Sequence, residues 1–264
     1  MNIFKSLEKS TINNLLVLFI AGLLFWTSLT SLLPTLPAYI EDIGGTPQEV
    51  GLVMGSFAIG LLLCRSWLGK VADVRGRKLV MLIGTAVVGL APLGYLWVDS
   101  IPWLAAMRAF HGISIAAFTI AYSTLVVDLS PIRQRGELIG YMSLVAPIGM
   151  AVGPALGGYL QVGLGYRALF LTSASAGLLA FIGASQVRDD RRTSPLDSSK
   201  TANPPQRRFW TLLTSPRLGI PALILLLIGL VFGSLASFLP LFIREIQVEF
   251  NAGLYYTSAA IATA

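Results

Sequence analysis

The chain holds 264 residues, of which 55% are hydrophobic and 12% charged, and its mean hydropathy is +0.73. A soluble domain carries about a quarter charged residues, so this composition excludes water as the main solvent, and apolar runs this long exclude the barrel strands of about ten residues. The net charge of +6 sits in short loops between apolar runs, which marks membrane topology rather than nucleic-acid binding, and the single cysteine, Cys64, excludes an internal disulfide or a Cys-rich metal site.

Eight apolar segments follow one another, at about 14–39, 48–69, 79–98, 101–127, 138–161, 166–186, 218–242 and 252–264. The first follows Lys5 and Lys9, as a secretory signal would. Its apolar stretch nevertheless runs from Leu15 on through Leu33 without a small-residue cleavage site, and reads as a retained membrane helix. Spans 1 to 7 reach the roughly 20 residues needed to cross about 30 Å of hydrocarbon. Span 8 would rise only about 20 Å as a helix and falls short.

Loop charge alternates along the chain. Lys5 and Lys9 precede span 1, Lys70, Arg75, Arg77 and Lys78 follow span 2, and Arg133 and Arg135 follow span 4. Arg188, Arg191, Arg192, Lys200, Arg207 and Arg208 follow span 6. The other loops hold Glu41, Asp42, Glu49 and Asp99, with Arg167 and Arg244 their only basic residues. The positive-inside rule then places the N-terminus and the segment after span 6 in the cytoplasm, for a multi-pass protein of the cell (inner) membrane.

The segment after span 6 is polar and rich in Ser and Pro, so it reads as a flexible linker. The expected organisation is a six-helix bundle over 1–186, a cytoplasmic linker over 187–217, and the incomplete start of a second bundle over 218–264. An internal repeat supports two bundles. LPAYIEDI at 36–43 matches LPLFIREI at 239–246, with Asp42 facing Glu245, and Gly51, Leu52, Ser56, Ala58 and Ile59 match Gly253, Leu254, Ser258, Ala260 and Ile261. Parallel repeats joined by a linker are a transporter signature, although apolar helices also resemble one another by chance.

The loop after span 2 carries Gly69-Lys70-Val71-Ala72-Asp73-Val74-Arg75-Gly76-Arg77-Lys78. This resembles the major facilitator superfamily signature G-x-x-x-D-x-x-G-R-[RK]. In physical terms Gly69 allows close helix approach, Gly76 allows the reversal into span 3, and Asp73 and Arg77 offer ionic partners. The resemblance implies a cytoplasmic latch in which Asp73 faces a helix of the second bundle and Arg77 pairs with an acid ending span 4, where Asp128 stands. Pro131 to Gly136 also looks like the family's turn between spans 4 and 5.

Span 4 carries Arg108, His111 and Gly112, similar to the family's R-x-x-Q-G with histidine in place of glutamine. An arginine inside a span is costly and is expected to face a polar cavity, unless it lies shallow enough to snorkel. The resemblance implies a part in proton coupling. His111 titrates near neutrality when unperturbed, and its alternative role is a hydrogen-bonding packing residue. In span 5, Gly149, Gly153, Pro154, Gly157 and Gly158 resemble the antiporter motif G-x-x-x-G-P-x-x-G-G. Glycines at 149, 153 and 157 share one face and favour close packing. In the family the motif marks proton-coupled exporters.

Span 1 offers Trp26, Thr27, Ser28, Thr30 and Ser31, and span 4 offers Thr119 and Tyr122, either as lining of a substrate cavity or as interhelical hydrogen-bond donors. The apolar stretch of span 1 holds no acid before Glu41.

The fold expected is an all-α polytopic membrane protein: a six-helix bundle of the major facilitator type, helix 7, and part of helix 8. The function expected is secondary active transport, with proton-coupled efflux of small molecules by alternating access. An uptake permease or uniporter, and a transport-incompetent remnant, stay open. No enzyme motif such as H-E-x-x-H or G-x-S-x-G occurs, and no cofactor or metal is expected. The expected partners are a small-molecule substrate, protons, the bilayer and a missing C-terminal half. Alone, the chain is expected not to transport, and its C-terminal hairpin to be poorly fixed.

Overall fold

The computed structural model describes residues 7–97, 100–188, 216–247 and 251–263. Most of the proposed linker, including Arg191, Arg192, Lys200, Arg207 and Arg208, lies outside the described residues, as do Lys5 and Asp99.

The chain is an all-α polytopic membrane protein. Span 1 consists of α1 (Lys9–Ser31) and α2 (Leu36–Asp42). Pro34 and Pro37 lack the amide hydrogens a continuous helix needs, and Leu33 N–H turns to Thr30 O instead. Spans 2, 3 and 4 are α3 (Pro47–Arg75), α4 (Arg77–Gly94, continued by a 3-10 turn to Trp97) and α5 (Ile101–Leu129). Thr46 begins α3 with a capping box, its hydroxyl accepting from Glu49 N–H while Glu49 accepts from Thr46 N–H. Span 5 starts as α6 (Arg135–Ser143) and continues into α7 (Val145–Gln186), which Gly165, at φ 81° and ψ 175°, breaks into two passes. Span 7 is α8 (Pro216–Glu245), and the start of span 8 is α9 (Ala252–Thr263).

Among the described residues six helical stretches are long and apolar enough to cross a membrane, and the one over Arg135–Gln186 does so twice through its break. At 12 residues α9 does not.

Helix partners are set by where small residues let backbones meet. α1 runs along α7, α3 along α5, and α4 lies against both α5 and α7. A Cβ on Gly60 of α3 would strike the Ala109 carbonyl, and one on Gly112 of α5 would strike the Phe57 carbonyl, so α3 and α5 touch backbone to backbone. Two apolar clusters fill the interior. One gathers Leu18, Phe25, Met81, Phe118 and Leu125. The other gathers Leu36, Ile40, Val53, Tyr95, Leu104 and Phe170 nearer the loops that hold Glu41 and Asp42. That end is called the acidic end below, and the end holding Arg75, Arg77 and Arg133 the basic end. Leu52, Ile59, Leu62, Leu63 and Trp67 on α3 are exposed, as is nearly every apolar residue of α8. Such a surface is stable in hydrocarbon, where side chains need no water and only the backbone must bond internally.

The two parts of the C-terminal hairpin differ from each other. α8 lies open, touching the rest mainly at α2 and α3, whereas α9 is seated along α7. The expected loose fit therefore describes α8 and not α9.

Candidate functional site

At the basic end, Gly76 is both the last cap of α3 and the first of α4, at φ 97° and ψ 152°, a conformation that favours glycine. The reversal places Arg77 on the first turn of α4, where it pairs with Asp128 in the last turn of α5. Each charge sits against its own helix dipole: the cation at the positive N-terminal end of α4, the carboxylate at the negative C-terminal end of α5. The pair neutralises both conflicts. Asp73 is exposed and has no ion pair or hydrogen bond among the described residues, and Lys78 is half-buried. Gly69 faces open space rather than a neighbouring helix, so the close approach expected of it has no partner among the described residues.

Along the α1–α7 seam the glycines of span 5 meet the hydroxyl residues of span 1. Gly149 faces Trp26 and Thr27, Gly153 faces Thr30, and Gly157 faces the Ser31 carbonyl. Thr30 Oγ1 is 2.7 Å from Trp26 O and 3.0 Å from Gly149 O, a hydroxyl shared between its own helix and its neighbour. Ser28 donates to Ser173 O at 2.7 Å, and Ser173 returns a bond to Ser28 O at 2.9 Å. Thr30 and Ser31 are buried in this seam, while Trp26 and Thr27 are half-buried. On α5, Thr119 is half-buried and bonds back to Ile115 O, and the buried Tyr122 donates to Met142 O. On the other side of α7, the Pro154 carbonyl faces Gly253, and Gly158 faces Asn251 of the segment entering α9.

Inside the bundle Arg108 is 4% exposed, so it does not snorkel. Its guanidinium carbon lies 4.6 Å from the centre of the Phe57 ring. His111, one turn on, is fully buried, with Nδ1 3.2 Å from the Tyr95 hydroxyl. Gly112 is the residue at which α5 meets α3.

At the acidic end Arg244 of α8 pairs with Asp42 at 2.6 Å and Glu41 at 3.3 Å. Tyr166 donates to the second oxygen of Asp42 at 2.5 Å. Beside this cluster lies a cavity of about 350 Å³ lined by Tyr39, Tyr95, Leu96, Trp97, Tyr166, Arg167 and Phe170. No group of three metal-ligating side chains occurs among the described residues.

The family model described as Major Facilitator Superfamily matches residues 18–264. The chain belongs to the major facilitator superfamily. Among curated proteins it is 27% identical over 188 residues to the quinolone resistance protein NorA of Staphylococcus aureus, covering 71% of this chain and 48% of that protein. It is 27% identical over 169 residues to the uncharacterised MFS-type transporter MJ1560 of Methanocaldococcus jannaschii, covering 64% and 44%. The chain thus spans about half the length of the curated relatives it matches. Among solved structures it superposes on a bacterial homologue of the human lysosomal transporter Spinster, inward-facing and occupied, with TM-score 0.71 and 20% identity over 98% of this chain and 61% of that one. The inward-open xylose transporter XylE of E. coli gives TM-score 0.58 and 16% identity over 67% and 48%.

Within this superfamily fold, the motif residues fall into three separate places. Gly76, Arg77 and Asp128 meet at the basic end, Arg108, His111 and Gly112 lie inside between α3 and α5, and the glycines of span 5 divide between α1 and α9. The cluster of Glu41, Asp42, Tyr166 and Arg244 is absent from the motifs read in the sequence. A signal for it exists in the repeat, where Glu41 in the first copy stands opposite Arg244 in the second. Charge reversal at one repeated position lets the two copies pair there.

Proposed function

We propose that the chain is the first part of a secondary transporter that exports small molecules in exchange for protons by alternating access, in the cell membrane with its N-terminus in the cytoplasm. The observation that carries this reading is the Arg244 bridge to Asp42 and Glu41, which ties the start of the second bundle to the first at the acidic end. Alternating access needs two bundles that separate at one end while they meet at the other. The bridge is the acidic-end closure. Arg77, Asp128, Asp73, Gly69, Gly76 and Lys78 form the basic-end latch, with Asp73 awaiting a partner on the second bundle. The direction, outward, rests on the Gly149–Gly158 motif and on likeness to a quinolone resistance protein. Arg108, His111 and Gly112 serve coupling, and the half-buried Trp26, Thr27 and Thr119 border the substrate path. The chain's chemistry is movement of a solute rather than enzymatic conversion.

The test uses energised vesicles holding the chain supplied with the missing helices, loaded with a fluoroquinolone or a lipophilic cation. Efflux is expected to collapse when a protonophore dissipates the gradient, and to fall sharply in Asp73→Ala without loss of membrane insertion. Gradient-independent flux would favour a uniporter, and accumulation with the gradient an uptake permease.

A further inference from the structure

Arg108 poses a charge problem that the chain does not solve for itself. It is 4% exposed and pairs with no carboxylate among the described residues. All 13 carboxylates of the chain lie at span ends or in loops, none in the interior of a span. Nε and Nη1 of Arg108 are buried without a partner, as is Nε2 of His111. The Phe57 ring face offsets only a fraction of the cost of removing a cation from water.

The neighbouring groups have the chemistry of an anion site. Arg108 and His111 are three residues apart on α5 and so share a face. In the tautomer whose Nδ1 accepts from the Tyr95 hydroxyl, the imidazole carries its proton on the unpartnered Nε2, which then offers a further donor. Tyr95 also stands in the wall of the acidic-end cavity, whose volume of about 350 Å³ is that of a small-molecule site. Arg167 lies exposed among the other lining residues and draws anions towards the mouth.

We propose that Arg108 and His111 bind a small monovalent anion, a carboxylate or a halide, admitted through the aromatic cavity past Tyr95. The inference rests on the buried geometry and not on transport, so a chain without flux would still bind the anion.

The experiment follows thermal unfolding of the full chain in detergent at constant ionic strength, with a bulky sulfonate, morpholinoethanesulfonate, replaced stepwise by chloride, acetate or benzoate. A ligand that binds only the folded state raises the midpoint saturably, by about 2–4 °C once it reaches several times its Kd. That rise is expected in the native chain. It is expected to vanish in Arg108→Gln, which keeps hydrogen-bonding capacity but loses charge, and to need several-fold more anion in His111→Ala. A response to chloride alone identifies a halide site; a response to acetate or benzoate identifies a carboxylate site. No saturable rise with any of the three overturns the proposal, and so does an undiminished rise in Arg108→Gln. Should Arg108→Gln not fold, His111→Ala decides: an unchanged saturation point overturns the site.

Discussion

At the basic end the Arg77–Asp128 pair joins α4 to α5, two helices already packed along their lengths. At the acidic end Arg244 joins α8 to α2, and α8 otherwise meets α3 near Phe238 and accepts at Leu235 O from Tyr256 of α9. The ions are alike, an arginine with carboxylates, but the surroundings differ. The basic-end pair lies within one bundle and resolves a local conflict, since each partner otherwise faces the wrong end of its own helix. In the acidic-end cluster only the carboxylates face such a conflict. Arg244 stands in the last turn of α8, where a cation already complements the helix dipole, while Glu41 and Asp42 stand in the last turn of α2, against its negative end as Asp128 stands against that of α5. The first pair thus ties two helices of one bundle together, and the second ties α8 to that bundle.

The largest effect should come from breaking the basic-end pair. The side chains are 37% and 19% exposed, so the pair is partly shielded from solvent. Arg77→Ala leaves Asp128 against the negative end of α5, and Asp128→Ala leaves Arg77 against the positive end of α4. Each is expected to cost about 1–2 kcal/mol, more than a fully exposed pair. The exchange Arg77→Asp with Asp128→Arg restores the pair and places both charges on the favourable dipole ends. Thermal unfolding of the double variant should match or exceed that of the native chain, while transport by the completed protein should stay impaired, because the latch motif has lost its arginine. A double variant as unstable as the single ones would remove the dipole argument.

Much of the fold could be read from hydropathy, and the reason limits what else could be. Apolar runs report the solvent, so they locate spans: 101–127 is close to α5, and the division between 161 and 166 falls at the Gly165 break. They report nothing about which helix faces which. The break between α1 and α2, and the split at Leu144 between α6 and α7, escape a reading built on runs, because neither falls at a polar gap in the sequence. Gly149, Gly153 and Gly157 could be assigned to one face from their spacing alone. That the face meets Thr27, Thr30 and Ser31 depends on three-dimensional neighbours. The motif at 69–78 named Asp128 as a partner because a family pattern links the two. No pattern linked Arg244 to Asp42, and the clue lay in a charge difference between two repeats.

A smaller thermodynamic effect, but a clear conformational one, should follow from reversing the acidic-end bridge. Arg244 is 52% exposed, so Arg244→Glu is expected to change the unfolding midpoint little. It sets a carboxylate against Glu41 and Asp42, and α8 should leave α3. A Cβ on Gly51 would lie 3.3 Å from Phe238 Cζ, which makes those positions a reporter of closure. With Cys64→Ser removing the native thiol, Gly51→Cys and Phe238→Cys should be joined in high yield by a short thiol cross-linker. Arg244→Glu should lower that yield several-fold, and Asp42→Arg with Glu41→Arg in the same chain should recover it. Equal yields in all variants would mean that apolar contact alone seats α8.

The smallest effect distinguishes α9 from α8. The open helix carries the Arg244 bridge and accepts at Leu235 O from Tyr256 of α9, whereas α9 is seated along α7 by shape. Among the described residues Thr257 of α9 donates to Ala151 O of α7 at 2.5 Å, its hydroxyl also lying 3.1 Å from Gly253 O. Thr257→Val keeps the volume and removes the donor. The Ala151 carbonyl retains its partner within α7, so no orphan group is created and the loss is limited to the bond itself. Bonds of this kind between membrane helices average about 0.6 kcal/mol, which corresponds to roughly a threefold change in an opening equilibrium. Hydrogen exchange should therefore show the amides of α9 about three times less protected, with α1 and the Gly149–Gly158 stretch unaffected. The reason for that confinement is steric. The glycines facing α1 meet Trp26, Thr30 and Ser31, whereas Gly158 and the Pro154 carbonyl meet the α9 segment at Asn251 and Gly253. A loss of protection that spread into α1 would show that α9 is a structural member of the first bundle and not a helix docked upon it.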